Sequence, residues 1–215
     1  MSSFLYPSLE PLRPEGVDEV DDRDAMLDAA IAELVHTVEA TWTEAANLDE
    51  RTLNDNSVRL DRAVELMRER IARAGRILAV GNGGSACDAD RLVRMLDGIA
   101  PARSLLDQAV LSALANDVGS ARMFARQVET FATSPDVVVV FSTSGTSPNI
   151  IEAVAAARRV GAGTIAFSGY GGAALAASAD VDVCLYVDSE SVHRIQEAQG
   201  ALTNELVARL ERAVS

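Results

Sequence analysis

Residues that usually advertise a protein's chemistry are scarce in this chain. Among 215 residues there are two cysteines and two histidines. Cys87 and Cys184 form neither a disulfide framework nor a metal-binding spacing, so both read as reduced thiols and the protein as cytoplasmic. Aromatic residues make up only 4% of the chain, which leaves the core to aliphatic side chains and alanine. No apolar run approaches the roughly 20 residues of a membrane helix; "DVVVVFS" is far shorter and reads as a buried strand. The start, "MSSFLYPSLEPLRPEG", lacks the basic head and long apolar segment of a signal peptide. Positive charge is short as well: 19 Lys plus Arg against 32 Asp plus Glu give a net charge of −13. Bulk attraction to nucleic acid or to an anionic membrane is thereby excluded, because neutralising phosphates takes clustered basic residues. A small anionic ligand is not excluded. Backbone amides at a helix start act within a few ångströms, where distant surface charge is screened.

What is present is the make-up of a soluble globular protein, 48% apolar and 24% charged. Residues 1–23 read as an extended acidic arm rich in proline. Residues 24–215 read as a single domain that includes N-terminal helices. "RDAMLDAAIAELVHTVEATWTEAANL" has helical periodicity, with Met26, Ile31, Leu34, Val35, Val38 and Trp42 largely on one face. His36 lies beside that face and reads as an interface or core-edge residue. "NDNSVRLDRAVELMRERIARAG" is a second helix, capped by Asn56 or Ser57 and stopped by Gly75. From Arg76 onward the texture changes. "RILAVG", "VVVVFSTSG", "GTIAFSGYGG" and "VDVCLYV" are too short for helices and rich in Val, Ile and Phe, with "ARSLLD" as one further strand. Helical stretches separate them, and "SVHRIQEAQGALTNELVARLERAV" closes the chain as a helix. Alternating strands and helices predict an α/β three-layer sandwich around a mainly five-stranded parallel sheet.

Ligands of such sheets bind at the carboxyl ends of the strands. Two strand ends here carry unusual loops. "GNGGSACDA" lets the backbone turn tightly and sets the Ser85 hydroxyl at a helix start, where amides are unpaired. "STSGTSPNI" places the hydroxyls of Ser142, Thr143, Ser144 and Ser147 around Gly145, again before a helix. Hydroxyls and amides without a basic side chain suit a phosphate ester held by hydrogen bonds. The first loop is not a Walker motif, since no Gly-Lys-Ser/Thr follows, and it lacks the spaced glycines of a dinucleotide fingerprint.

"GNGGSACDA", "STSGTSPNI" and "RIQE", together with "ALAND" and "FSGYGG", resemble the sugar isomerase (SIS) domain in its phosphoheptose isomerase branch. The resemblance runs from about Asp24 to the C-terminus and implies a flavodoxin-like fold. It implies that Ser85, Ser142, Thr143, Ser144 and Ser147 hold a sugar phosphate, with Asn82, Gly83, Asp88, Asn116, Asp117 and Gln196 near the sugar. It also implies a homotetramer with sites between subunits.

The same resemblance exposes departures. Phosphoheptose isomerases place a His and, one turn later, a Glu on the helix after the glycine loop, and further His residues on the last helix. Several of these can hold zinc. Here Arg91, Met95, Gln199 and Asn204 occupy those positions. Moving a proton between adjacent sugar carbons needs a base and a second acid/base group, and thioethers and amides supply neither. Ala86, Asn116 with Asp117, "SGYGG" and Asn204 resemble instead the DnaA initiator-associating proteins, a non-enzymatic branch. The sequence reading therefore puts first a binding or regulatory protein for a phosphorylated sugar, with no metal and with room for a protein partner. Its alternative is an isomerase of sedoheptulose 7-phosphate with an altered residue set, for which His193 and Glu197 are the catalytic candidates. A third possibility is a partner subunit in a mixed assembly with a true isomerase.

Overall fold

A computed structural model describes residues 21–214 of the chain. The arm expected over residues 1–23 falls outside them except for its last three residues, which already belong to the first helix. The helices are α1 (Asp21–Asp55), α2 (Ser57–Ala72), α3 (Gly84–Met95), α4 (Gln108–Asp117), α5 (Met123–Phe131), α6 (Pro148–Val160), α7 (Ala173–Ala177) and α8 (Val192–Val214). The strands are β1 (Ile77–Gly81), β2 (Ala102–Ser104), β3 (Val137–Ser142), β4 (Gly163–Ser168) and β5 (Val183–Tyr186). All pairings are parallel and the spatial order is β2-β1-β3-β4-β5.

Every residue of β1, β3 and β4 is buried, which is why their sequences are continuous apolar runs rather than alternating ones. Successive side chains still point to opposite faces, so the sheet feeds two cores. On one side Ile77, Ala79, Val137, Val139, Phe141, Ile165 and Phe167 join Leu60 and Met67 of α2, Leu92 of α3, and Leu202 and Leu206 of α8. On the other, Leu78, Val80, Val138, Val140 and Ala166 join Phe124 and Val128 of α5, Ile150 and Val154 of α6, and Leu175 of α7. Phe141 and Phe167 stack within the first core, with ring centroids 4.3 Å apart. Each fully buried aliphatic or aromatic side chain stabilises the fold by roughly 1.5–3 kcal/mol.

The sequence offered Ser57 or Asn56 as the cap of the second helix, and since that helix starts at Ser57 the cap position falls to Asn56. It does precede α2, but its side chain makes no capping bond. Its amide donates to the carbonyls of Thr52 and Tyr186, each at 2.8 Å, and accepts the Tyr186 N–H at 3.0 Å. β5 is an edge strand, and Asn56 pairs with it as a neighbouring strand would, closing off that stretch of edge to other chains.

The described residues divide into two units, the first ending at Glu44 and the second beginning at Ala45. In the first, Met26, Leu27, Ile31, Leu34, Val35 and Val38 lie exposed along α1, and Trp42 is 74% exposed. The expected helix and its apolar stripe are present. His36 is exposed as well.

Candidate functional site

In this sheet the connection after β1 leads to β2 on one side, and the connection after β3 leads to β4 on the other. The reversal leaves a crevice between the carboxyl ends of β1 and β3, where ligands of open parallel sheets bind. Both sequence-predicted loops open there.

The loop after β3 is built around Gly145, whose φ of +64° favours glycine and whose missing Cβ would collide with the Ser168 hydroxyl. That turn folds three hydroxyls together. Ser142 Oγ, which is nearly buried, accepts the Gly145 N–H at 3.1 Å, and Ser144 Oγ accepts the Thr146 N–H at 3.3 Å. Ser142 Oγ lies 3.5 Å from Ser144 Oγ, which lies 3.4 Å from Ser147 Oγ. Those spacings are long for O–H···O bonds, so the hydroxyl protons are only weakly engaged with one another. Ser147 occupies the N-cap of α6 without a side-chain capping bond, and Pro148 follows at the first helical position. Thr143 sits half-buried between Ser142 and Ser144. A phosphate set here would meet hydroxyl donors and the positive end of the α6 dipole.

The loop after β1 runs through Gly83 (φ +54°) into α3, with Ser85 buried in its first turn. Asn82 reaches across to Asn149, the second residue of α6. Their side-chain amides exchange two hydrogen bonds, at 2.9 and 2.8 Å, and so tie the two loops together. Asn149 was not singled out in the sequence. The only trace of it there is an amide directly after the proline that opens a helix.

Helix α8 closes the crevice from the side. A Cβ on Gly84 would collide with the Gln196 amide, so the start of α3 and "RIQE" are in close contact. Two turns on along α3, Arg91 donates to Asn204 Oδ1 at 2.6 Å and to the Gly200 carbonyl at 3.4 Å. Between these positions in sequence come Asp88 on α3 and Gln199 on α8. Gln199 is fully buried, yet neither atom of its amide has a hydrogen-bond partner, and the same holds for the buried Oδ2 of Asp88. Burial raises the Asp88 carboxyl above the ordinary carboxylate value, with the charge of Arg91 opposing it.

The remaining sequence candidates sit apart from this cluster. Asn116 and Asp117 are exposed at the end of α4, where Asn116 donates to Asp117 at 3.3 Å. His193 and Glu197 are exposed, and Glu197 pairs with Arg194 at 2.6 Å. The Asp49 carboxyl is raised first by burial and then by the charge of Glu197. Met95 packs against the core. A guanidinium already bonded to an amide, a thioether facing the core and a buried amide are a poor donor set for zinc. Among the described residues no group of three or more His, Cys, Asp or Glu side chains is placed to hold a metal ion. Burial pushes the Cys184 thiol up to about 11, which keeps it protonated and inert.

Residues 42–169 match the family model described as SIS domain. The chain belongs to the SIS-domain family. Within it, the chain is similar to proteins named phosphoheptose isomerase. That from Roseiflexus sp. (strain RS-1) is 35% identical over 76% of this chain and 86% of the relative. That from Thermodesulfovibrio yellowstonii is 33% identical over 83% of this chain and 92% of the relative. The solved phosphoheptose isomerase GmhA from Neisseria gonorrhoeae superimposes with a TM-score of 0.78 at 35% identity, covering 82% of this chain and 99% of that one. The Francisella tularensis phosphoheptose isomerase gives 0.77 at 27% identity, over 83% and 98%. The SIS fold expected from the sequence, five parallel strands with helices on both faces, is the fold observed. Among the described residues no helix is long and apolar enough to cross a membrane.

Proposed function

We propose that the protein is a sugar-phosphate isomerase of the phosphoheptose class, acting on sedoheptulose 7-phosphate or a close relative. This reverses the order reached from the sequence, which put binding without catalysis first. The observation that carries it is the hydroxyl and amide cradle of Ser142, Ser144 and Ser147, tied to the glycine loop through Asn82 and Asn149, in a chain whose relatives are named phosphoheptose isomerase. The cradle binds the phosphate, and the sugar extends toward α3 and α8. No metal enters this reading: Arg91, Met95, Gln199 and Asn204 stand where the resemblance puts acid/base and zinc-binding groups, and a guanidinium, a thioether and amides suit zinc poorly. A second reading, binding of the phosphosugar without turnover, is favoured by one feature: Arg91 and Asn204 are bonded to each other where the resemblance calls for acid/base groups.

Hydrogen exchange separates the two. In deuterated water the protein is expected to exchange the carbon-bound hydrogens at C1 of the ketose and C2 of the aldose, followed by NMR, at a rate unaffected by a chelator. Binding in calorimetry with no exchange above the buffer rate is the result expected from a pure binder. Loss of exchange in His193→Ala or Glu197→Gln would place the chemistry at those exposed residues.

The active form is a homotetramer in the cytoplasm. The exposed apolar stripe of α1 supports self-association, since contiguous apolar surface on a soluble protein usually marks an interface. Light scattering of the full chain at tens of micromolar should return four times the 22.7 kDa chain mass. A monomeric mass is the outcome that defeats this reading.

A further inference from the structure

The amide bridge that spans the crevice between β1 and β3 has two unlike members. Asn149 is only 9% exposed, whereas Asn82 lies open to solvent. Each carboxamide donates to the other, Asn82 Nδ2 to Asn149 Oδ1 at 2.9 Å and Asn149 Nδ2 to Asn82 Oδ1 at 2.8 Å. A reciprocal pair of this kind fixes both amides at once. Turning either one alone sets N–H against N–H and oxygen against oxygen, so two bonds become two repulsions. A carboxamide has two N–H donors and two carbonyl lone pairs, and the pair uses one of each. Asn82, the exposed member, therefore keeps one N–H and one lone pair, and among the described residues no other side-chain bond takes them. Sugar hydroxyls, which both accept and donate, are suited to that remainder.

Asn149 meets the cradle with a different part of itself. Pro148 before it has no N–H, and the N–H groups of Ile150 and Ile151 bond to the Ser147 carbonyl at 3.0 and 3.1 Å. The Asn149 N–H is thus the amide left free at the mouth of α6, beside Ser147. Its backbone is available to a phosphate, and its side chain is committed to Asn82. Resting on the phosphosugar site of the reading above, we propose that Asn149 is a positioning residue: its side chain holds the Asn82 amide in place for the sugar hydroxyls, while the phosphate binds independently of that side chain. An exposed amide fixed before the ligand arrives spares the complex the cost of ordering it. The phosphate side does not need the pair, because the Gly145 turn and the bond from its N–H to Ser142 Oγ shape the hydroxyl cluster without it. The buried anchor and the exposed contact are 67 residues apart in sequence, so the bridge also sets the two loops in register for one ligand that touches both.

The test is a double-mutant cycle on the full chain, read by calorimetry with sedoheptulose 7-phosphate and with inorganic phosphate. Asn82→Ala and Asn149→Ala are each expected to weaken sugar-phosphate binding about tenfold, which is about 1.4 kcal/mol, and to leave inorganic phosphate within about threefold of wild type. The double variant is expected to lose about tenfold in all, because Asn149 has nothing to hold once the Asn82 amide is gone. A merely structural Asn149 would weaken both ligands alike, and its effect would persist beside Asn82→Ala. Losses that multiply to about a hundredfold, or an inorganic phosphate affinity that falls as far as that of the sugar phosphate, overturn the proposal and leave the cradle standing. If Asn149→Ala does not fold, Asn149→Asp decides, since it keeps the shape and the acceptor but loses the donor. Both ligands are phosphate anions, so the ratio of their affinities cancels the added charge. That ratio is expected to fall at least threefold in Asn149→Asp alone and not at all beside Asn82→Ala, and an unchanged ratio in the single variant rejects the assignment. Wild-type protein that binds neither ligand overturns both the proposal and the cradle. Because the readout is binding, a lack of turnover counts against the isomerase reading alone.

Discussion

Replacing Ser144 and Ser147 by alanine together is expected to weaken sugar-phosphate binding about a hundredfold. The two hydroxyls lie 3.4 Å apart at the mouth of α6, and neither caps that helix. The one backbone bond at stake, from the Thr146 N–H to Ser144 Oγ, is long at 3.3 Å and exposed. Their removal therefore costs the folded protein little. A hydrogen bond to a charged group contributes about 1.5–3 kcal/mol, so losing two removes about 3 kcal/mol at the low end, which is about two decades of affinity. Calorimetric titration with sedoheptulose 7-phosphate, and with inorganic phosphate as competitor, measures it. A loss below threefold would mean that the phosphate lies elsewhere. The effect should appear in affinity and not in thermal stability, because the loop's architecture rests on Gly145, on the Ser142 hydroxyl and on the pair of Asn82 with Asn149.

The loops were legible in the sequence because their signal is local. Glycine, serine and proline within ten residues specify a turn, a hydroxyl cluster and a helix start. The five strands were legible for the same reason, as short apolar runs bounded by turn residues. Their spatial order was not, since it depends on which faces the intervening helices cover. The reading of Asn56 as a cap shows the limit clearly. The residue type and position suit a cap, but Tyr186, 130 residues away, takes its amide. The bond between Arg91 and Asn204 spans 113 residues and was equally invisible, although both positions stood out as departures from the family pattern.

The catalytic candidates illustrate a different limit. His193 and Glu197 were chosen for their chemistry, and they are four apart on one helix. The buried face of α8 runs through Ile195, Ala198, Gln199, Leu202 and Leu206. At 100° per residue that stripe lies opposite His193 and Glu197, so helical periodicity already pointed to Gln199 as the inward-facing residue. An amide at a buried position reads as a loss when a histidine is expected there. Only the atom-level finding that it has no partner makes it a feature in its own right.

Asp136→Ala is expected to destabilise the protein by about 3 kcal/mol and to leave phosphosugar affinity unchanged. Asp136 stands at the head of β3, at the end of the sheet away from the loops, and is only 1% exposed. Its Oδ1 accepts the Arg76 N–H at 2.7 Å, and its Oδ2 accepts the Arg76 guanidinium at 2.9 Å and the Thr133 N–H and hydroxyl at 2.8 and 2.9 Å. It thus locks together the starts of β1 and β3 and the turn after α5. Removing one partner of a buried ion pair costs about 3–5 kcal/mol, and Arg76 is half exposed, which places the loss at the low end. Burial alone would raise this carboxyl, but the bonds from Arg76 and Thr133 outweigh it and hold it below the ordinary value. A carboxyl depressed on folding stabilises above its unfolded pKa, about 3.9, and that contribution is lost as pH falls through the lower folded value. Urea unfolding should therefore show wild type losing stability on acidification through this range, with a shallower decline in Asp136→Asn. If Asp136→Ala lost less than about 1 kcal/mol at pH 7, the carboxylate would be structurally dispensable. A phosphosugar affinity that fell with it, measured where both proteins are fully folded, would show that the two ends of the sheet are coupled.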